Sequence, residues 1–194
     1  MTRRSMWMCL PLWMALVLAG CGSPPKERFY TLGLPASAGA GEEANYSVVV
    51  GPITVPEAVD RPQLVVRVAP NRVEISELHR WAEPLKSEIP RVLAQALASE
   101  LGAKRIAPYG LVTSRDADFQ VALDVQRFES DLGEGASIEV LWSVRRARNG
   151  EVRISRSRVR EPVSSAGYDG LAAAHGRALQ RLGVEIAAVL RTMQ

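Results

Sequence analysis

The sequence predicts an α+β fold: a single domain whose mainly antiparallel sheet is covered by two amphipathic helices. Three observations carry that expectation. Apolar residues alternate with polar ones through Phe119, Val121, Leu123 and Val125, and again through Ile138, Val140, Trp142 and Val144, the period-two pattern of strands with one buried face. They fall at helical spacing through Leu85, Ile89, Val92, Leu93, Ala96, Leu97 and Leu101, and through Leu171, His175, Ala178, Leu179, Leu182, Ile186, Val189, Leu190 and Met193. Strands, helix, strands and helix follow one another through short turn-forming links, which suits one layered domain.

Taken in order, the chain begins with Arg3 and Arg4, an apolar run from Met6 to Leu18, and the small residues Ala19 and Gly20. These are the n-region, h-region and cleavage site of a secretory signal, and the run is shorter than the roughly 20 apolar residues that a spanning helix needs. Leu18-Ala19-Gly20-Cys21 is the pattern of a bacterial lipobox, in which the Cys21 thiol takes a diacylglycerol and its freed amine an acyl chain. Residues 1–20 are therefore read as signal peptide, 21–28 as a lipidated tether and 29–194 as the domain. Gly22 replaces the aspartate that retains lipoproteins in the inner membrane of Gram-negative bacteria, so the expected address is the outer membrane, facing the periplasm.

Phe29 to Leu32 reads as a first strand, Pro35 to Ala44 as a loop and Tyr46 to Val55 as a second strand. Gly51-Pro52 within it marks an edge or a bulge. Leu64 to Val68, the Pro70-Asn71 turn and Val73 to Ile75 form a hairpin, and Glu77 to Leu85 joins it to the first helix. Pro84 suits a first helical residue, Pro90 a late start or kink, and Gly102 a stop. Lys86, Glu88, Arg91, Gln95 and Glu100 occupy the polar side of that helix. Arg105 to Tyr109 is a short strand, and Phe128 breaks the parity of the next strand, which places a bulge near Gln126-Arg127. Asn149-Gly150 is a hairpin turn in which both residues tolerate positive φ, and it leads into a strand from Glu151 to Glu161. The last helix runs from Gly167 to Met193, with Ser164 and Ser165 as candidate caps.

Charge and cysteine count exclude several classes. The chain has 24 basic and 21 acidic residues. Loss of Arg3 and Arg4 leaves 22 against 21, which argues against nucleic acid as partner. Cys9 leaves with the signal and Cys21 carries lipid, so the domain has no disulfide and no thiolate for a zinc site. No cofactor is expected beyond the covalent diacylglycerol and N-acyl lipid on Cys21.

No catalytic set emerges, and the chain is read as non-enzymatic. His175 lies on the apolar stripe of the last helix, where a core histidine bonded to a backbone carbonyl outweighs a catalytic base; His79 lies in a connection and is expected to be exposed. Arg145, Arg146, Arg148, Arg153, Arg156, Arg158 and Arg160 fall on one hairpin, and cross-strand pairing could gather several, Arg145, Arg153, Arg156 and Arg158 among them, on one face; a solvated outer face with local Glu and Asp partners outweighs a contact for an anionic lipid headgroup or an acidic protein surface.

The lipobox, Arg28-Phe29-Tyr30-Thr31-Leu32, Val49-Val50-Gly51-Pro52-Ile53, Pro56 to Pro62 and His79-Arg80-Trp81-Ala82-Glu83-Pro84-Leu85 together resemble the ABC-type transport auxiliary lipoprotein family, the PqiC-like lipoproteins. The resemblance implies a subunit of an MCE-type intermembrane lipid transport system. Its partners would be an MCE-domain protein with a permease and an ATPase, and copies of the lipoprotein would form a ring around the conduit end. Trp81, Glu83 and Pro84, in a stretch that joins two elements and carries a large aromatic, are the candidates for partner contact, with packing of that stretch against the sheet an equal alternative. The rival is a scaffold lipoprotein of an assembly or secretion system, of the pilotin kind.

Overall fold

The structure, a computed structural model, describes residues 25–34, 45–102, 105–110 and 116–194. The signal segment, Cys21 and the Pro35 to Ala44 loop lie outside the described residues. In chain order the elements are β1 (Arg28–Tyr30), β2 (Ser47–Thr54), β3 (Gln63–Ala69), β4 (Arg72–Trp81), α1 (Leu85–Leu101), β5 (Arg105–Pro108), β6 (Phe119–Asp131), β7 (Gly135–Arg146), β8 (Val152–Pro162) and α2 (Gly167–Thr192).

All eight strands form one sheet around β6. On one side β6 pairs along its length with β7, which pairs with the edge strand β8, all antiparallel. On the other side its first half pairs with β2, and β2 with β5, both parallel. Its last residues pair with β3, also parallel, through Val66 to Ser130 and Arg67 to Asp131. Beyond β3 lie β4, antiparallel to it, and then β1, parallel to β4. The α+β domain with two helices is as expected, but the sheet is mixed and not mainly antiparallel. Alternation reports which face is buried and not the direction of the neighbouring strand, and the hairpins visible in sequence are all antiparallel. A clue to the parallel part was the unbroken Val48, Val49 and Val50, buried on both faces in β2.

Several boundaries also move. Glu77 to Trp81 belongs to β4, because β1 pairs with it at His79, Arg80 and Trp81. Gly51-Pro52 does mark an irregularity, with the β2 register shifting between Val50 and Ile53, but β2 lies between β5 and β6 and not at an edge. The β6 bulge falls where parity predicts, between Val125 and Arg127. In the link from β7 to β8 Gly150, and not Asn149, takes positive φ, at 73°. Asn149 instead accepts the Glu151 N–H on its side-chain oxygen at 3.0 Å, so the link is longer than a two-residue turn.

Both helices lie on one face of the sheet, α1 over β2 and β5 and α2 over β7 and β8. Helix α1 runs unbroken through Pro90, with Pro84 just ahead of it, and Gly102 ends it in the left-handed conformation at φ 61°. Ala166, and neither serine, precedes α2, and no side chain caps it. The helices meet at Gly183, where a Cβ would lie 2.8 Å from that of Ala96. Leu93, Leu97, Val121, Val140, Leu179 and Ile186 fill the layer between helices and sheet. No described helix is long and apolar enough to cross a membrane.

Candidate functional site

The N-terminal strand is tied to the body at every turn. Strand β1 runs beside β4 with Arg28 opposite His79 and Tyr30 opposite Trp81. The Tyr30 carbonyl accepts the Ala82 N–H at 2.8 Å. A hydrogen bond of 2.6 Å joins Tyr30 Oη to His79 Nδ1, and the His79 ring stacks on Tyr168 with centroids 3.7 Å apart. His79 is thus half-buried and not exposed; burial, with Arg28 second, holds its pKa below the usual histidine value. Glu27 pairs with Arg80 at 2.9 Å.

Past β1 the clamp reaches both helices. The Leu32 N–H donates to Glu88 Oε1 at 2.7 Å, across 56 residues of sequence. Glu88 is fully buried and not on the solvated side of α1 as expected: Leu85 and Val92 flank it on the helix, and the segment after β1 passes over it. Burial pushes its carboxyl pKa up, and the Leu32 N–H and Arg91 draw it back. At Gly176 on α2 a Cβ would lie 2.0 Å from the Gly33 carbonyl oxygen, so the strand and helix approach as only glycine permits.

The Trp81, Glu83 and Pro84 stretch divides. Trp81 is buried, with its ring edge-on to Phe128 at 6.1 Å and to His175 at 5.9 Å. It holds β4 in the core and offers no surface to a partner. Glu83 and Pro84 are exposed on the link to α1, Glu83 beside Arg91 at 3.5 Å. His175 stacks on Phe128 at 3.9 Å, and its Nε2 bonds the Ser130 hydroxyl at 2.8 Å, a side-chain partner where a backbone carbonyl was expected. Full burial pulls its pKa down to about 3, so the ring is neutral.

The arginines separate by parity. Arg156, Arg158 and Arg160 alternate along β8 on the face of the sheet away from the helices, and Arg145 joins them through its pairing with Val152. Arg153 pairs with Val144, a buried residue, and so has the opposite parity; its guanidinium meets Glu151 at 2.8 Å. The outer-face arginines have local acids: Arg156 and Arg158 each lie 3.1 Å from Glu139, and Arg160 lies 3.1 Å from Glu134. The Arg158 hydrogen bond above all holds the Glu139 carboxyl below its usual range. Arg146 lies over the Phe119 ring at 5.8 Å. Beside this row a shallow cleft of about 370 Å³ exposes Pro52, Ala122, Leu141 and Ile154. A second cleft, about 450 Å³, lies between β1 and α2 and is lined by Tyr30, Leu34, Ala173 and Arg177.

Among the described residues no group of three or more His, Cys, Asp or Glu side chains could hold a metal ion. The Glu88 clamp and the Tyr30, His79 and Tyr168 stack escaped the sequence reading, because each joins residues that are far apart along the chain. A glutamate at a helix position facing apolar neighbours was the one available signal.

These features define a class: an α+β domain with a mixed sheet, an N-terminal strand clamped to both helices, and an open, arginine-bearing outer face. The model of a family described as ABC-type transport auxiliary lipoprotein component matches residues 30–187, and the chain belongs to that family. The same fold occurs in a Xanthomonas campestris protein of family DUF330, at 21% identity and TM-score 0.68, covering 86% of this chain and 99% of that one. A crystal structure of an uncharacterized protein matches at 18% identity and TM-score 0.70, over the same shares of each chain. The PelC dodecamer from Paraburkholderia phytofirmans gives 13% identity and TM-score 0.42 over 84% of this chain and 93% of that one, too distant to carry an argument. Among curated proteins none matches.

Proposed function

We propose that this chain is the outer-membrane lipoprotein subunit of an MCE-type intermembrane lipid transport system, docking a periplasmic conduit without chemistry of its own. The observation that carries the proposal is the family match over residues 30–187, preceded by Leu18-Ala19-Gly20-Cys21. Lipid on Cys21 holds the domain on one membrane and so raises its effective concentration against a partner that arrives from the other. The clamp at Tyr30, Leu32 and Gly33 makes that hold rigid, since the strand leading from the anchor is bonded to β4 and both helices.

The partner side follows from topology. The β7–β8 link lies where β6 begins, at the far end of the sheet from the direction in which the chain arrives. Arg145 at that end, with Arg156 and Arg158 along the outer face, therefore suits an acidic protein surface better than the headgroups of the anchoring leaflet. Glu83 and Pro84 are the exposed remainder of the other candidate contact.

The test is co-purification. The detergent-extracted lipoprotein should retain an MCE-domain protein, and the Arg156→Glu, Arg158→Glu variant should lose it while keeping its membrane fraction. Cys21→Ser should leave the domain folded and outside the membrane fraction. A pull-down that returns secretion-system proteins in place of an MCE-domain protein overturns the proposal in favour of a pilotin-like scaffold.

A further inference from the structure

We infer that the turn between β3 and β4 and the turn between β6 and β7 together form a membrane-contacting edge, which enters the interface of the leaflet that carries the Cys21 lipid. The inference rests on the lipoprotein reading above and adds an orientation to it. Strand β1 is parallel to β4 and therefore antiparallel to β3, so the chain arrives from the end of the sheet at which β3 stops. Strand β6 is parallel to β3, with Arg67 opposite Asp131, so Leu132 stands level with Val68. Both turns thus point back toward the anchor.

Chain length makes the contact hard to avoid. Gln63 and Phe29 both pair with Arg80, and β3 continues six residues to Ala69, which puts the turn about 20 Å beyond Phe29 at strand rise. The eight residue steps from Cys21 to Phe29 span at most about 28 Å, and only when drawn fully straight. Such a tether would clear the turn from the lipid by less than about 10 Å, a distance comparable to the depth at which interfacial apolar groups bury. Any slack or bend in the tether places the turns in the headgroup layer.

The residues there fit that layer. Val68 is 41% exposed, Val73 53%, Ile75 45% and Leu132 48%. Glu134 in the β6–β7 turn lies 3.1 Å from Arg160 and Glu74 is exposed beside Val73, while Arg67 pairs with Glu129 and with Asp131 and donates to the Pro70 carbonyl at 2.7 Å. One guanidinium thereby ties the two turns into a single rigid edge. Arg72 at the tip is exposed and can keep its head among phosphates while its stem lies along the valines. The occupant is a phospholipid leaflet, because the tether delivers the edge to one and Val68, Val73 and Leu132 stand exposed there.

The mature chain suits a direct measurement, because Cys21 is its sole cysteine and carries lipid. Val68→Cys, Leu132→Cys and, as a control at the opposite end, Ile154→Cys lipoproteins would each carry one environment-sensitive fluorophore. They would be reconstituted in phosphatidylethanolamine/phosphatidylglycerol vesicles containing nitroxide-labelled lipid. Several-fold stronger quenching at positions 68 and 132 than at 154, unchanged in high salt, is the expected result; Val73→Cys serves if either variant misfolds. Equal quenching at all three positions, with the acyl mass present on Cys21, overturns the membrane edge alone. Absence of that mass from the extracted protein overturns the lipoprotein reading and the edge together. Weak lipid-nitroxide quenching at positions 68 and 132, with protection from aqueous iodide only when an MCE-domain protein is present, would assign the edge to a protein partner and also overturn the inference.

Discussion

The two ends of the sheet are built on opposite principles. Around the N-terminal strand, polar groups go inward: Glu88 receives the Leu32 N–H, His175 bonds Ser130, and His79 lies between Tyr30 and Tyr168, while valines and Leu132 face out at the β3–β4 and β6–β7 turns. At the far end, about 40 Å away along β6, charge stays outside, with Arg145 and Arg153 at the β7–β8 link and the Arg156 and Arg158 row running back along β8. The contrast teaches where stability and recognition reside. Substitution at the anchored end removes buried partners, and substitution at the far end removes solvated ones, so the first should change folding and the second binding.

The largest expected effect is at Trp81. Trp81→Ala empties the space beside Phe128 and His175 and should lower unfolding free energy by about 3–5 kcal/mol, read by urea denaturation. A loss within experimental error would mean that β4 is not held by this ring. Glu88→Ala strands the Leu32 N–H and should lower stability by about 1–3 kcal/mol, with Glu88→Gln recovering part of it. If Glu88→Ala is neutral, the clamp on the N-terminal strand is not the connection described here.

A third effect is set by pH. The folded pKa of His175 is depressed to about 3, below its unfolded value, so the stability it protects is complete above the unfolded pKa and is lost as pH falls toward 3. Between pH 7 and pH 5 that loss is about 2 kcal/mol at the usual unfolded pKa. Glu88 has the opposite sign, because its raised carboxyl pKa favours folding as pH falls. The difference between wild type and His175→Gln across this range therefore isolates the imidazole, and parallel pH profiles for the two would refute its assignment. Smallest of all, Arg158→Ala should leave the unfolding midpoint unchanged, since Arg158 is exposed and Glu139 keeps Arg156. A clear drop in that midpoint would place stability on the exposed outer face as well and erase the contrast.

Much of the fold could be read from local pattern. Both helices, the β3–β4 hairpin and the bulge at Gln126-Arg127 follow from periodicity and turn residues that neighbours in sequence impose on one another. Legibility failed where a residue's surroundings come from elsewhere. Glu88 looked solvated until the N-terminal strand crossed it, and Trp81 looked like a link residue until β1 paired with its strand. The arginine row was legible as a cluster, and alternation along β8 already sets Arg153 apart from Arg156 and Arg158, but Arg145's place beside the latter depended on the register with β7.

The sequence by itself determined most of the elements and the lipobox, because these rest on residues within a few positions of one another, and the lack of any thiol after Cys21 and the family resemblance, because these need only composition and the order of motifs along the chain. Only the tertiary structure decided that the sheet is mixed, that the N-terminal strand is clamped from β4 to both helices, and that the arginine row runs along the outer face from the β7–β8 link back to Glu134 in the β6–β7 turn. Strand direction and neighbour are settled by which buried faces meet once the whole chain has folded, and alternation along a single strand is blind to both.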